Sequence, residues 1–358
     1  MSLGLDDVVA AETVLSHVDG EAGRLIIRGH DLEDLAGQAG YEAVAALLWA
    51  GFAPEDREEA VRAALGAARV AAFAGVERLL PLADGLTPVE ALRFLLASLP
   101  DASPVPAHVL VTAAMPVFAA AITRRRAGRD PVAPDAALGQ AADFLRMLRG
   151  APAAADHVRA MDTYLVTVVD HGLNASTFAA RVVAATRAGM VSSVVAGLCA
   201  LKGPLHGGAP GPVLDMLDGI GAPEAIPGWL KDAVDRGDRL MGFGHRVYRV
   251  RDPRADVLKA VAKTLREGSG RIRFAEAVEA AALDLLARRK QSRPLQTNVE
   301  FYTALVLEAL DLPREVFTAV FAIGRVAGWA AHVLEQEATG RLIRPQSRYT
   351  GPMPRRAA

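Results

Sequence analysis

Ala107-His108-Val109-Leu110-Val111-Thr112-Ala113-Ala114-Met115-Pro116-Val117-Phe118-Ala119-Ala120-Ala121-Ile122-Thr123 is the stretch on which the fold class turns. It is the most membrane-like segment of the chain, so it reads either as a bilayer span or as the spine of a helical core. It falls short of the ~20 apolar residues a span needs. It also carries His108 and Pro116 and is rich in alanine, so a buried helix is the better reading and no membrane partner is expected. Nearly everything after residue 30 carries helix punctuation. Thr87-Pro88-Val89-Glu90 combines a capping box with proline at the first helical position. Asp252-Pro253 opens a helix running to about Glu267. Gly203-Pro204 follows an apolar helix that ends near Lys202, and Gly340 closes a long helix that starts near Arg314. Strands are predicted only at Thr13 to Val18 and Arg24 to Arg28, a hairpin around Asp19-Gly20. No extended alternating strands, nucleotide-binding βαβ unit, low-complexity linker or fixed-period repeat is visible. The fold class is therefore all-α with a small N-terminal hairpin.

A chain of 358 residues that is 51% hydrophobic can build a sizeable core without staples, as one large domain or two unequal ones. Glycine and proline are densest around 203–212 and 219–227, a candidate hinge between two helical domains. Chemistry placed there would sit where domains close over a substrate. The net charge of −1 supplies no field for nucleic acid and no acidic excess that would favour disorder. The one cysteine, Cys199, lies in an apolar run and is expected to be buried packing. Without a second cysteine it forms no internal disulfide, which fits a cytoplasmic location. Met1 to Asp7 lacks the basic-then-apolar pattern of a signal peptide.

Four segments carry residues suited to chemistry, and each has an ordinary structural reading beside it. Asp170-His171-Gly172-Leu173-Asn174-Ala175-Ser176 interrupts two helical runs and reads as a turn with Asn174 or Ser176 capping. Lys202-Gly203-Pro204-Leu205-His206-Gly207-Gly208-Ala209-Pro210 places a histidine among glycines, either as a tight turn or as a loop that brings ring and backbone close to a ligand. Met241-Gly242-Phe243-Gly244-His245-Arg246-Val247-Tyr248-Arg249 leads to Arg254 in a first helical turn, where anions bind favourably. Its Gly-x-Gly is no dinucleotide fingerprint, since no strand precedes it and the third glycine is missing. Gln296-Thr297-Asn298-Val299-Glu300-Phe301-Tyr302 contains Thr297-x-x-Glu300, a capping-box pattern.

Together the four segments supply more than turns and caps. Two loop histidines and a first-turn carboxylate suit deprotonation of a weakly acidic carbon beside a thioester. The carboxylate takes the proton, one histidine donates to the carbonyl oxygen, and the other polarises the carbonyl under attack. Arginines hold a dicarboxylate by planar, two-pronged hydrogen bonding that lysine does not reproduce. None of the eight histidines lies three or four residues from another, so no metal site is expected. Gly-x-Ser-x-Gly is absent, against a serine hydrolase.

Gly-Pro-Leu-His-Gly-Gly-Ala, Gly-Phe-Gly-His-Arg-Val-Tyr and Asn-Val-Glu-Phe-Tyr, in that order, resemble the signatures of the citrate synthase family. The likeness runs from Val8-Val9-Ala10-Ala11-Glu12-Thr13 and Arg28-Gly29-His30-Asp31, through Leu173 to Arg181, to Arg341-Leu342-Ile343-Arg344-Pro345. The shorter, bacterial-type members are the nearest in pattern. The resemblance implies a helical homodimer, with a large dimerising domain (1–209 and 316–358) and a small domain (210–315) that closes over substrate on the coenzyme A side. It implies condensation of acetyl-CoA with oxaloacetate and water to citrate and CoA, with no permanently bound cofactor. His206 would bond the thioester oxygen, His245 would polarise the oxaloacetate carbonyl, and Glu300 would be the base. His171, Arg254 and Arg325 would hold oxaloacetate carboxylates, and Phe321 would line the pocket. Arg344 would reach the partner subunit's site, and Arg249 would contact a coenzyme A phosphate. Three positions depart from the family pattern: Glu300 replaces aspartate, Gly172 follows Asp170-His171 where glutamate is usual, and His30 replaces tyrosine. The added methylene at Glu300 matters because a shift on the order of 1 Å can cost ~10²-fold in rate. It keeps open 2-methylcitrate synthesis from propionyl-CoA and a catalytically weak paralogue. Glu300→Asp separates the last of these: a gain in rate marks a misplaced native carboxylate, a loss marks a pocket adapted to glutamate.

Overall fold

The computed structural model describes residues 8–207, 210–245, 247–265, 269–288 and 295–353. Met1 to Asp7, the motif residues Gly208, Ala209 and Arg246, and the expected helix end near Glu267 lie outside them. A three-stranded sheet comes first: β1 (Ser16–Asp19), β2 (Arg24–Ile27) and β3 (His30–Asp31), each antiparallel to the next. Helices follow: α1 (Leu32–Leu35), α2 (Tyr41–Trp49), α3 (Glu58–Phe73), α4 (Val76–Leu79), α5 (Pro88–Ala97), α6 (Ala107–Arg126), α7 (Gln140–Arg149) and α8 (Ala155–Thr167). Then come α9 (Ala175–Ala184), α10 (Met190–Leu201), α11 (Pro210–Ile220), α12 (Ile226–Asp235), α13 (Pro253–Thr264), α14 (Ser269–Arg288), α15 (Val299–Ala309) and α16 (Phe317–Thr339). The all-helical reading holds.

α6 is the spine, packed against α3, α5, α7 and α16. Its residues from His108 to Thr123 are all buried. α6 and α16 are each long and apolar enough to cross a bilayer, but 83% and 94% of those windows are buried, so both are core helices of this fold. Pro116 removes the N–H that would bond the Thr112 carbonyl. Gln140 Nε2 donates to that carbonyl instead, at 2.9 Å. Gln140 is held in turn by Arg69, whose guanidinium also pairs with the buried Asp143 at 2.8 Å. The proline is thus paid for by a polar cluster that locks α3, α6 and α7 together.

Two glycines bring α16 against the end of α8. A Cβ at Gly328 would stand 2.2 Å from the Val169 carbonyl oxygen, and one at Gly324 would stand 2.4 Å from Val168 Cγ2. This approach lets Arg325 Nε donate to the Val168 carbonyl at 2.7 Å.

Four details differ from expectation. The hairpin closes through a four-residue loop, with Asp19 opposite Arg24 and Asp19 Oδ1 accepting from the Glu21 and Ala22 N–H groups. A third strand extends it, because the chain turns at Arg28-Gly29, both with positive φ. α13 stops at Thr264, where Leu265 turns to extended backbone. Cys199 is exposed rather than buried, because α10 buries the face of Val194, Leu198 and Leu201 and Cys199 points away from it. Gly328→Ala is expected to destabilise the fold by about 1–3 kcal/mol through overpacking, seen as a lower melting temperature; an unchanged one contradicts the close approach of α16 to α8.

Candidate active site

The His171 loop is built at the junction of α8 and α9. Asn174 Oδ1 caps α9, accepting from the Ser176 and Thr177 N–H groups at 3.1 Å. Asp170, wholly buried, accepts from Ser16 of β1 and lies 3.2 Å from His332 Nε2 on α16. The Ser16 hydroxyl also accepts from the Gly172 N–H at 3.0 Å, so the sheet pins the loop. Gly172 has φ +59°, a conformation that glycine adopts without the strain of a side chain. The His171 ring is buried, with Nε2 3.2 Å from the Tyr248 hydroxyl.

His206 sits on the turn after α10. Gly207 donates to the Leu201 carbonyl at 3.0 Å, and a Cβ there would meet Leu201 Cδ1 at 2.6 Å, so the turn demands glycine. His206 Nε2 accepts from the Ser176 N–H at 3.3 Å and lies 2.8 Å from its hydroxyl. A backbone donor at Nε2 leaves the neutral ring's hydrogen on Nδ1. Burial, then Arg325 and Arg254, push the His206 pKa down to about 4, and the positive end of α9 works in the same sense. His206 is therefore a neutral donor at pH 7.

His245 and Glu300 are joined through backbone. Gly244 donates to the Gln296 carbonyl at 2.7 Å, and Asn298 donates to the Gly242 carbonyl at 2.9 Å. The Gly-x-Gly is thus half of a short antiparallel bridge between Phe243 and Thr297. Gly242 (φ +84°) leaves no room for a Cβ, which would lie 2.8 Å from the Phe301 Cβ. His245 Nδ1 accepts from the Val247 and Tyr248 N–H groups, both at 3.1 Å, which places the neutral ring's hydrogen on Nε2. That nitrogen lies 3.4 Å from an Arg254 terminal nitrogen. Two donors face one another there, an arrangement that an acceptor from a ligand relieves.

The cap of α15 is Asn298, whose Oδ1 accepts from the Glu300 N–H at 2.9 Å. Thr297 instead donates to Glu279, so the capping-box reading of Glu300 fails. Part of Glu300 faces open space, but its Oε2 is buried with no hydrogen-bond partner among the described residues. Burial pushes its pKa up to about 7; Arg254 and Arg325 oppose that shift and Asp252 adds to it. A buried carboxyl poised near neutrality and left unpaired is the profile of a general base.

Arg254 and Arg325 are both buried. Arg254 forks onto Asp252, Nε to Oδ1 at 3.0 Å and a terminal nitrogen to Oδ2 at 2.8 Å. Burial disfavours its charge, yet Asp252, Tyr248 and Glu300 hold its pKa above the ordinary value. Arg325 lies 4.9 Å above the Phe321 ring, and among the described residues only its Nε has a hydrogen-bond partner, the Val168 carbonyl. Burial, with Arg254 nearby, lowers its pKa to about 10, still charged at neutral pH. The same burial, followed by Arg254, His245, Arg325 and His206, drives the His171 pKa well below the usual range. The two rings His171 and His245 meet edge to face at 5.4 Å.

His171, His206, His245, Arg254, Glu300, Phe321 and Arg325 therefore form one constellation. Two expected site residues stand apart. Arg249 is exposed, its N–H donating to the Gly20 carbonyl at 2.8 Å and its guanidinium 3.5 Å from Glu21. Arg344 is exposed on the extended segment after α16. Sequence reasoning did not single out Ser176, Tyr248 or Asp252 for the site. Ser176 and Tyr248 lie inside motifs, but their bonds to histidines depend on tertiary placement. Asp252 was read only as a helix start. Among the described residues no three His, Cys, Asp or Glu side chains cluster as metal ligands.

Residues 4–346 match the family model described as citrate synthase, C-terminal domain. The chain belongs to the citrate synthase family. The relative named citrate synthase from Haloferax volcanii is 40% identical, the alignment covering 97% of this chain and 95% of that one. The crystal structure of citrate synthase from Thermotoga maritima is 32% identical with a TM-score of 0.87, covering 99% of this chain and 97% of that one. Equal in TM-score, at 29% identity and the same coverage, is citrate synthase from Thermoplasma acidophilum in ternary complex with carboxymethyl coenzyme A and oxaloacetate.

A carboxylate whose pKa rises from an unfolded value of about 4.3 to about 7 in the fold binds protons more tightly in the native state. Stability contributed by the protonated form is therefore lost as pH climbs through that window. Glu300→Gln removes this cost, so the variant is expected to melt higher than the native protein at pH 8, with the difference shrinking toward pH 5. A variant less stable at pH 8 contradicts the burial of Glu300.

Proposed function

We propose that this chain is an acyltransferase that condenses acetyl-CoA with oxaloacetate and water, giving citrate and CoA. The observation that carries this reading is the unpaired, buried Glu300 carboxyl beside two neutral histidines and two buried guanidiniums. Arg325 offers its free fork, and Arg254 its remaining edge, to the two carboxylates of oxaloacetate. His171 donates alongside them. His245 Nε2–H bonds the ketone oxygen. Glu300 takes a proton from the acetyl methyl while His206 Nδ1–H bonds the thioester oxygen, so the charge moving onto that oxygen meets a donor already in place. The new carbon–carbon bond forms at the ketone carbon. Water then cleaves the thioester of the product and CoA leaves.

His171, His206 and Arg325 belong to the large domain (1–209 and 316–358), and His245, Arg254 and Glu300 to the small one (210–315). Closure of one on the other completes the site and excludes water. Arg344 serves the partner subunit's site in a homodimer. Its segment supports this, since Leu342, Tyr349 and Met353 are 59%, 68% and 76% exposed in the single chain, an apolar tail with no cover. Arg249 is available for a coenzyme A phosphate only once Glu21 releases it.

Mixing the purified chain with oxaloacetate and acetyl-CoA, and following free thiol with a thiol-reactive dye, tests the reading. Oxaloacetate-dependent release on the order of 1–10³ per second is expected. Release no faster than the oxaloacetate-free control contradicts it, and faster release from propionyl-CoA reassigns the acyl substrate.

A further inference from the structure

Tyr164 lies on α8, fully buried, and its hydroxyl has no hydrogen-bond partner among the described residues. Burying a hydroxyl without a partner costs free energy, and folded proteins keep few such groups. Two of the others lie on α15: Glu300 Oε2 and the hydroxyl of Thr303, three residues further along the same helical face. α8 and α15 pack on one another. Arg325 ties the two sides together, because its Nε bonds the carbonyl of Val168, one turn beyond Tyr164. The Tyr164 phenol feels the charges of both Glu300 and Arg325. The orphaned oxygen of the candidate base and two orphaned hydroxyls on α8 and α15 fit one network that is completed when the carboxylate moves, rather than three unrelated losses.

We propose that Tyr164 is a positioning residue for Glu300, its hydroxyl donating to the carboxylate as the site assembles. The inference rests on the reading of Glu300 as the base. A phenol donor favours the charged form of the carboxylate and so lowers its pKa. The other charged groups facing Glu300 are Asp252 and Arg254 at the start of α13 and Arg325 on α16. All remain in a Tyr164→Phe variant, so a change in titration reports the hydroxyl alone.

The test is a titration of the ¹³C-glutamate-labelled protein, with Glu300 assigned through Glu300→Gln, alongside the pH profile of kcat. Tyr164→Phe is expected to raise the Glu300 midpoint and the acidic limb of kcat by about one pH unit, about tenfold in rate on that limb, with KM for oxaloacetate unchanged. Fluorotyrosine at 164, nearly isosteric and a stronger donor, is expected to move the midpoint down and keeps the test open if the phenylalanine variant folds poorly. A lower melting temperature with an unmoved midpoint would make Tyr164 merely structural and overturn the inference. Should the native protein release no CoA, the proposed condensation fails, while the ¹³C titration still decides the Tyr164 contact.

Discussion

The Asp252 carboxylate is the constraint on which the site depends. It is 1% exposed, and its bonds join the first turn of α13 to that of α15. Its Oδ1 caps α13 by accepting from the Arg254 N–H at 3.1 Å. The two oxygens together hold the Arg254 guanidinium flat. Oδ2 also accepts from the Val299 N–H at 3.1 Å, at the first residue of α15 and next to Glu300. One buried carboxylate thus sets the distance between the Arg254 guanidinium and Glu300. Behind it, Glu279 accepts from Thr297, Tyr302, Arg251 and Lys259 at 2.7–2.9 Å and fixes α13, α14 and α15 as one body. Loss of a partner from either node leaves a buried charge uncompensated, which costs far more than the pair contributes.

The electrostatics of the site follow from that anchoring. Asp252 neutralises Arg254, but Arg325 brings a second buried guanidinium whose fork is open. The excess positive charge has two effects with one cause. It adds to burial, the larger cause, in holding His171 and His206 neutral. It also favours the binding of an anion. Glu300 stands outside this balance: buried enough to resist ionising, and with no donor on its inner oxygen. Its basicity is bought with stability, as functional sites commonly require.

The fold was legible because helix ends are written in short local patterns. Thr87 and Glu90 do bond each other, Asn174 caps α9, and Gly203-Pro204 follows Lys202, the C-cap of α10. The burial of α6 could be read from His108 and Pro116, residues a lipid-facing helix tolerates poorly. The site was legible through its motifs, whose glycines prove to be steric requirements at Gly207 and Gly242. Non-local pairings could not be read. Nothing near Ser176 in sequence says that its N–H meets His206, thirty residues away. Nothing near Tyr164 points to Glu300. The exposure of Cys199 was missed for a related reason, since an apolar run does not reveal which side of a helix the core takes.

The central claim is that Glu300 removes a proton from the thioester's methyl group. Incubating the protein in D₂O with acetyl-CoA and malate, which keeps both carboxylates but has no ketone to attack, isolates that step. Mass spectrometry of the recovered acetyl-CoA should show malate-dependent deuterium in the methyl group for the native protein and none for Glu300→Gln. Equal incorporation by the two proteins would contradict the account and place the base elsewhere.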